Sequence, residues 1–327
     1  MPRVLVIPGI LRGVDGSYRQ VLEGGGFEVV YPPPGVSLLD PETLKVHLAG
    51  IDATIASVEP YTRDVLKSSR LRVVARTGVG YDAIDVAAAT ELGVAVATTP
   101  GANDQSVAEM TIALMTGVMR GFPRRLDEVR KGAWGKGALP RLAGKTMGLV
   151  GLGRIGRSVV PRAQGLGLKV IACDPLADKA YAASAGVELC TFPELLSRAD
   201  IVSLHIPAMA GTFDLINADA LAVMKRGSVL INTSRGALVD EPALVEALKS
   251  GHLLGAGLDV FKTEPLPIDS PLLKLDNLLA TPHMGGLDEE SLEAMSRMAA
   301  QCIVDLFQGR WPDPCIVNAS IRPGWKW

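Results

Sequence analysis

Apolar residues recur along the chain in two series of short runs. The first series lies at residues 4–7, 27–31, 53–56, 71–75 and 94–98, with segments of helical apolar spacing between the runs. Runs of this length, joined by helix-length crossovers, predict parallel strands. A second series begins at Met147. It predicts strands at 148–150, 169–173, 201–205, 228–232, 255–260 and 278–280, separated by helical patterns such as 241–249. Between the two series the pattern predicts a long apolar-faced helix over 106–119 with Asp104 as its cap, then a looser stretch over 121–145. Residues 288–307 read as a helix that returns to the first series. Pro161 falls inside the helix predicted after residue 153 and predicts a bend there.

These elements give an α/β fold with two domains, each a parallel sheet covered by helices on both faces. A chain of 327 residues also exceeds what one hydrophobic core usually serves. The expected division sets residues 1–98 with 288–327, a discontinuous domain, against residues 99–287. Apolar residues make up 48% and charged residues 21%, and the formal charge is −2, so nothing favours nucleic acid as a partner. Four cysteines without a CxxC pair suggest neither a metal site nor a disulfide framework, which fits a reducing cytoplasm. Met1-Pro2-Arg3 leads straight into a strand-like run without the apolar region of a signal peptide. No apolar span is long enough to cross a bilayer, so a cytoplasmic protein without membrane contact is expected.

Gly151-Leu152-Gly153-Arg154-Ile155-Gly156 stands between a predicted strand and a predicted helix. In that position Gly151 permits a tight turn, Gly153 a close approach of backbone to phosphate, and Gly156 close packing of helix on strand. Free N–H groups at the helix start would face a dinucleotide's pyrophosphate. The next predicted strand ends in Asp174, where a carboxylate would bond ribose hydroxyls; this favours NAD, because a 2′-phosphate there would prefer an arginine.

Of four histidines, His283 lies just past the last predicted strand, the edge where ligands bind in such sheets. A loop histidine is ordinarily satisfied by backbone. What singles out this one is convergence, since Arg235 and Glu264 follow two neighbouring strand ends. Such a trio suits reduction of a 2-keto acid. Arg235 would clamp the carboxylate and carbonyl oxygen, His283 would give or take the proton, and Glu264, bonded to the other ring nitrogen, would favour the charged imidazole and orient it. Asp259 either bonds the nicotinamide carboxamide or caps the following turn. His205 shapes the cofactor cleft rather than reacting.

Arg76-Thr77-Gly78-Val79-Gly80-Tyr81-Asp82-Ala83-Ile84-Asp85, Ser106-Val107-Ala108-Glu109, the run Gly151 to Gly156, Thr233-Ser234-Arg235-Gly236, Leu258 to Phe261 with Glu264-Pro265, and Thr281-Pro282-His283 follow one another along almost the whole chain. Together they resemble the D-isomer-specific 2-hydroxyacid dehydrogenases, short phosphoglycerate dehydrogenase-like members included. The resemblance implies a Rossmann NAD-binding domain and a flavodoxin-like substrate-binding domain. It implies Arg235, Glu264 and His283 as the catalytic set, and the backbone of Val79 and Gly80 as holders of the substrate carboxylate. It further implies a cofactor site lined by Arg154, Ile155, Asp174, His205, Ile206, Pro207, Thr212, Thr233, Ser234, Arg235, Asp259, His283 and Gly285. A homodimer joined through the cofactor domain, over residues 106–145, is also implied.

Two departures bear on substrate. Where phosphoglycerate dehydrogenases carry an arginine that helps hold the phosphate, this chain has Ile55-Ala56-Ser57-Val58, which favours glyoxylate, hydroxypyruvate or pyruvate unless another lysine or arginine substitutes. The chain ends at Trp327, soon after the returning helix, so a C-terminal regulatory domain is not expected. Formate dehydrogenases are also similar but have glutamine where Glu264 stands. The competing reading is an NAD(H)-binding dimeric scaffold of the corepressor kind, with the same three residues and little turnover.

Overall fold

Five strands of the first series, β1 Arg3–Val6, β2 Glu28–Val30, β3 Ala53–Ala56, β4 Val73–Arg76 and β5 Ala95–Ala97, form a parallel sheet in the order β2-β1-β3-β4-β5. The computed structural model that carries them describes residues 1–327. Alternate residues of these strands feed opposite cores. Val4, Val6, Val73 and Ala75 face one side with Tyr18, Leu22 and Ile303, whereas Leu5, Ile7 and Val74 face the other with Leu44, Leu66 and Ala88. All four residues of β3 are buried, as expected of a strand covered on both faces. The helix Glu289–Phe307 packs on Ser17–Gly24 and over β3 and β4, so the returning segment supplies half of one layer.

The second series adds β6 Thr146–Val150, β7 Lys169–Cys173, β8 Glu188–Leu189, β9 Ile201–Leu204, β10 Ser228–Asn232, β11 Leu253–Leu258 and β12 Leu278–Ala280. They form a seven-stranded parallel sheet in the order β12-β11-β10-β9-β6-β7-β8. The chain runs outward from β6 through β7 to β8, then crosses to β9 on the other side of β6. The strand order therefore reverses between β6 and β9, the arrangement of a Rossmann sheet. Contacts divide the chain into Met1–Asn103 with Leu287–Trp327, and Asp104–Gly286. No helix is long and apolar enough to cross a membrane.

Three local readings differ from the structure. Asp104 is the first residue of the helix Asp104–Met119 rather than a residue capping it from outside. The stretch read as loose contains a helix, Phe122–Arg130, whose short amphipathic pattern begins at a proline in the first turn. Strand β8 has two residues, too few for any periodicity to show.

The helix Arg154–Gly165 runs on past Pro161. Proline offers no N–H to the carbonyl four residues earlier, that of Arg157. That carbonyl instead accepts from the Tyr181 hydroxyl at 3.2 Å, while the Arg157 guanidinium lies 4.5 Å from the Tyr181 ring centroid.

Candidate active site

The loop after β6 is shaped by what glycine lacks. Gly151 has φ +100°, and a Cβ there would lie 2.4 Å from the His205 carbonyl oxygen. A Cβ on Gly156 would lie 2.4 Å from the Gly151 carbonyl oxygen, so helix and strand touch at that point. Around Gly153, in contrast, a Cβ would meet nothing within 4 Å. No side chain caps the helix that starts there, which leaves its first-turn N–H groups facing open space. At the end of β7, Asp174 accepts from the amides of Leu152 and Leu176, both at 2.8 Å. The carboxylate thus ties the glycine loop to the neighbouring strand and keeps acceptor capacity for a hydroxyl. An uncapped helix start, an open space over Gly153 and a carboxylate one strand away fit a dinucleotide.

The loop after β9 adds His205, whose Nε2 meets Ser203 Oγ at 2.9 Å and whose Nδ1 is buried without a partner. Burial pushes this imidazole down to about 4, so it stays neutral at working pH. Ile206 is half-buried beside it, and the Pro207 carbonyl accepts from Thr212 Oγ1 at 3.0 Å, which folds the loop onto itself.

Three further strand ends carry the acid, base and cation. After β10, the buried Asn232 accepts from the Ser234 amide at 3.0 Å and donates to the Arg235 carbonyl at 2.8 Å. Ser234 Oγ donates to the Leu204 carbonyl at 2.6 Å, and Thr233 Oγ1 meets Thr111 Oγ1 at 2.9 Å. The turn presenting Arg235 is therefore held from three sides. Sequence reasoning missed Asn232, although an asparagine at a strand end before a polar turn is a usable signal. Gly236 abuts the backbone of Phe261, where a Cβ would come within 1.9 Å of the carbonyl carbon.

After β11 comes Asp259, only 1% exposed. It accepts from Thr281 Oγ1 at 2.5 Å, the Met284 amide at 3.0 Å and the Gly285 amide at 2.7 Å. Of the two roles left open for Asp259, the contacts present are those of a carboxylate holding the turn after β12. That turn carries His283 in the left-handed region, φ 52°, a conformation costing a non-glycine residue about 1–2 kcal/mol. The His283 amide donates to the Asp259 carbonyl at 2.8 Å, so the same residue anchors the strained position by side chain and main chain.

His283 Nδ1 lies 2.6 Å from Glu264 Oε2, and Glu264 Oε1 accepts from the Phe261 amide at 2.8 Å. Burial works to raise the Glu264 carboxyl. The His283 hydrogen bond, the Phe261 amide and the charges of His283 and Arg235 together outweigh it and hold the group below the usual carboxylate range. Glu264 is thus an anion within the field of both partners. With Nδ1–H given to the carboxylate, Nε2 is the nitrogen left to exchange a proton, and the side chain is 36% exposed.

In the other unit, Val79 and Gly80 follow β4 in a loop fastened by the Gly78 amide, which donates to Thr99 Oγ1 at 2.8 Å. Arg76 lies here too: its Nε donates to the Ser57 carbonyl at 3.2 Å and its Nη1 to the Thr77 carbonyl at 2.6 Å. A cation therefore does stand against the stretch 55–58, supplied by the neighbouring strand.

The family model described as D-isomer specific 2-hydroxyacid dehydrogenase, NAD binding domain, matches residues 112–285. The chain is 44% identical over 252 residues to a D-3-phosphoglycerate dehydrogenase of Methanocaldococcus jannaschii, covering 76% of this chain and 48% of that protein. It thus spans about half the length of that relative. A glyoxylate reductase of Korarchaeum cryptofilum is 38% identical over 270 residues, 80% of this chain and 81% of its own. Among solved structures, the TT0316 protein of Thermus thermophilus superposes with a TM-score of 0.87 at 37% identity, covering 96% of this chain and 99% of that one. Fold, glycine loop and matched length agree, and the chain belongs to the D-isomer specific 2-hydroxyacid dehydrogenase family.

Proposed function

We propose that the chain is an NAD-dependent oxidoreductase interconverting a D-2-hydroxy acid and its 2-keto acid. The observation that carries this reading is the His283–Glu264 pair at 2.6 Å, with Arg235 near enough for its charge to act on the same carboxylate. Gly151, Gly153, Arg154, Ile155, Gly156 and Asp174 would hold NAD, which supplies hydride transfer when bound; His205, Ile206, Pro207, Thr212, Thr233, Ser234, Asp259 and Gly285 would wall its site. Arg235 binds the carboxylate and polarises the carbonyl oxygen through its planar fork of donors. His283 Nε2 gives a proton to that oxygen during reduction and takes it back during oxidation. Glu264 stabilises the charged ring and keeps Nε2 aimed, so proton transfer needs no reorientation. On the resemblance alone, Val79 and Gly80 offer backbone amides to the substrate carboxylate. The exposed apolar side chains of Phe122, Leu126, Val129 and Trp134 support a homodimer through residues 106–145.

The test is a panel of glyoxylate, hydroxypyruvate, pyruvate, phenylpyruvate and 3-phosphohydroxypyruvate, each with NADH or NADPH and followed by absorbance. Rapid NADH loss with at least one member, abolished in Arg235→Ala, is the expected result. NADH binding with no turnover across the panel overturns it in favour of a scaffold.

A further inference from the structure

We propose that Cys173 and Cys190 form a dithiol that a two-electron oxidant of the peroxide class closes into a disulfide, and that closure loosens the hold of Asp174 on a bound dinucleotide. The second half rests on the NAD reading given above; the first half does not. Strands β7 and β8 pair in register, Ile171 with Glu188 and Ala172 with Leu189. One step further Cys173 stands opposite Cys190, and the pairing continues, because the Cys190 amide donates to the Ala172 carbonyl at 2.9 Å. Alternation along the strands sends Ala172 and Leu189 to one core, whereas Ile171, Cys173 and Cys190 all meet the other. Two cysteines thus sit side by side on one face of neighbouring strands, about 4.8 Å apart by ordinary sheet spacing. A disulfide spans Cα atoms roughly 4.4–6.8 Å apart. Both residues are half-buried, open enough for a small oxidant, and β8 is a two-residue edge strand able to shift.

Burial raises both thiols; at Cys190 the charge of Arg198 works against this while Cys173, Glu188 and Glu194 add to it, and at Cys173 the charge of Asp174 adds to it. Cys190 directly follows the edge strand and opens the reaction. Its thiolate attacks one peroxide oxygen, the O–O bond breaks, and a sulfenic acid and water form. The Cys173 sulfur then attacks that of Cys190, the S–O bond breaks, and a second water leaves with the remaining thiol proton. Two electrons pass from the sulfurs to the peroxide. Asp174 follows Cys173 directly and holds the Leu152 and Leu176 amides, so the change of the Cys173 side-chain torsions on closure is passed through one peptide to the carboxylate that ties down the glycine loop. Loss of one hydrogen bond to a charged group weakens NADH binding by about tenfold.

The experiment treats the full chain with hydrogen peroxide, maps linkages by non-reducing peptide mass spectrometry, and titrates NADH by fluorescence before and after. A 173–190 linkage, weaker NADH binding and recovery with dithiothreitol are expected, and Cys190→Ala and Cys190→Ser should bind NADH normally and ignore peroxide. Absence of that linkage, linkage of Cys302 to Cys315 instead, or an oxidative response that survives in the Cys190 variants overturns the dithiol. A linkage that leaves NADH affinity unchanged overturns the coupling. Reduced protein that fails to bind NADH defeats the NAD reading and the coupling together, while the linkage map still decides the dithiol by itself.

Discussion

Glu264 and His205 are both pushed down, the carboxyl by its hydrogen bonds and neighbouring charges and the imidazole by burial. Glu264 is held anionic by its partners, the His283 ring among them. Glu264→Gln keeps an acceptor at the same place but removes the charge. We predict that keto-acid reduction then falls off at a lower pH, read from kcat/KM against pH. An unchanged profile would show that the pair does not set the acid. His205 has no such anion and is pushed down to about 4, below the ordinary histidine value of 6.5. Between those values the unfolded chain binds a proton that the folded chain refuses. The stabilisation is thus complete above pH 6.5 and is lost as pH falls toward 4, worth about 2 kcal/mol once the partial surface exposure of the residue is allowed for. Urea unfolding at pH 7 and pH 5 should show this loss in the native chain and a smaller one in His205→Asn. The pH profile of turnover should not move in that variant.

The glycine loop and the turn after β10 give matched tests at the level of elements. Gly153→Ala adds a methyl group that meets no protein atom at an ordinary φ of −73°, so thermal stability should hold while NADH affinity falls at least about tenfold. Gly151→Ala meets the His205 carbonyl at positive φ and should lose both stability and binding. If Gly153→Ala binds NADH normally, the pyrophosphate does not lie over that residue. Gly236→Ala drives a methyl group into the Phe261–Lys262 peptide, separating the Arg235 turn from the segment bearing Glu264; kcat/KM should drop by about a hundredfold or more. These steric demands explain what was legible beforehand. A glycine loop is a local requirement and is written in adjacent residues, and strand ends follow from periodicity, so residues at one sheet edge could be collected before their distances were known. The hold of Asp259 on the turn bearing His283, the bracing of Arg235 by Asn232, the Tyr181 hydroxyl serving the carbonyl orphaned by Pro161, and the reach of Arg76 to Ser57 were not legible. Each joins positions whose separation is fixed only when strands and helices pack, and spacing along the chain carries no trace of it.

At the scale of the molecule the two units differ in how their layers are supplied. Asp104–Gly286 is continuous and brings helices to both faces of its own sheet, with Leu195, Leu221 and Leu244 in one core and Leu114, Met115 and Val159 in the other. The first unit is assembled from both ends of the chain. Ala299, Ala300, Ile303 and Leu306 of the returning helix fill the core that Val4, Ile55 and Val73 enter from the sheet, and Asn318 satisfies the Val96 amide and the Val94 carbonyl at 2.9 Å each. Residues 1–103 alone would leave much of that face of the sheet in water together with unpaired groups along the β5 edge, a loss comparable to the 5–15 kcal/mol that stabilises a typical domain, at roughly 2 kcal/mol for each large apolar side chain. Residues 104–286 expressed alone should therefore unfold cooperatively and bind NADH, with a melting temperature that rises with ligand, whereas residues 1–103 alone should show no cooperative transition. Circular dichroism melts of the two fragments decide the matter. A folded 1–103 fragment would mean that the returning helix contributes less to the first core than its buried contacts indicate, and a 104–286 fragment that folds but ignores NADH would move the nucleotide site away from the glycine loop.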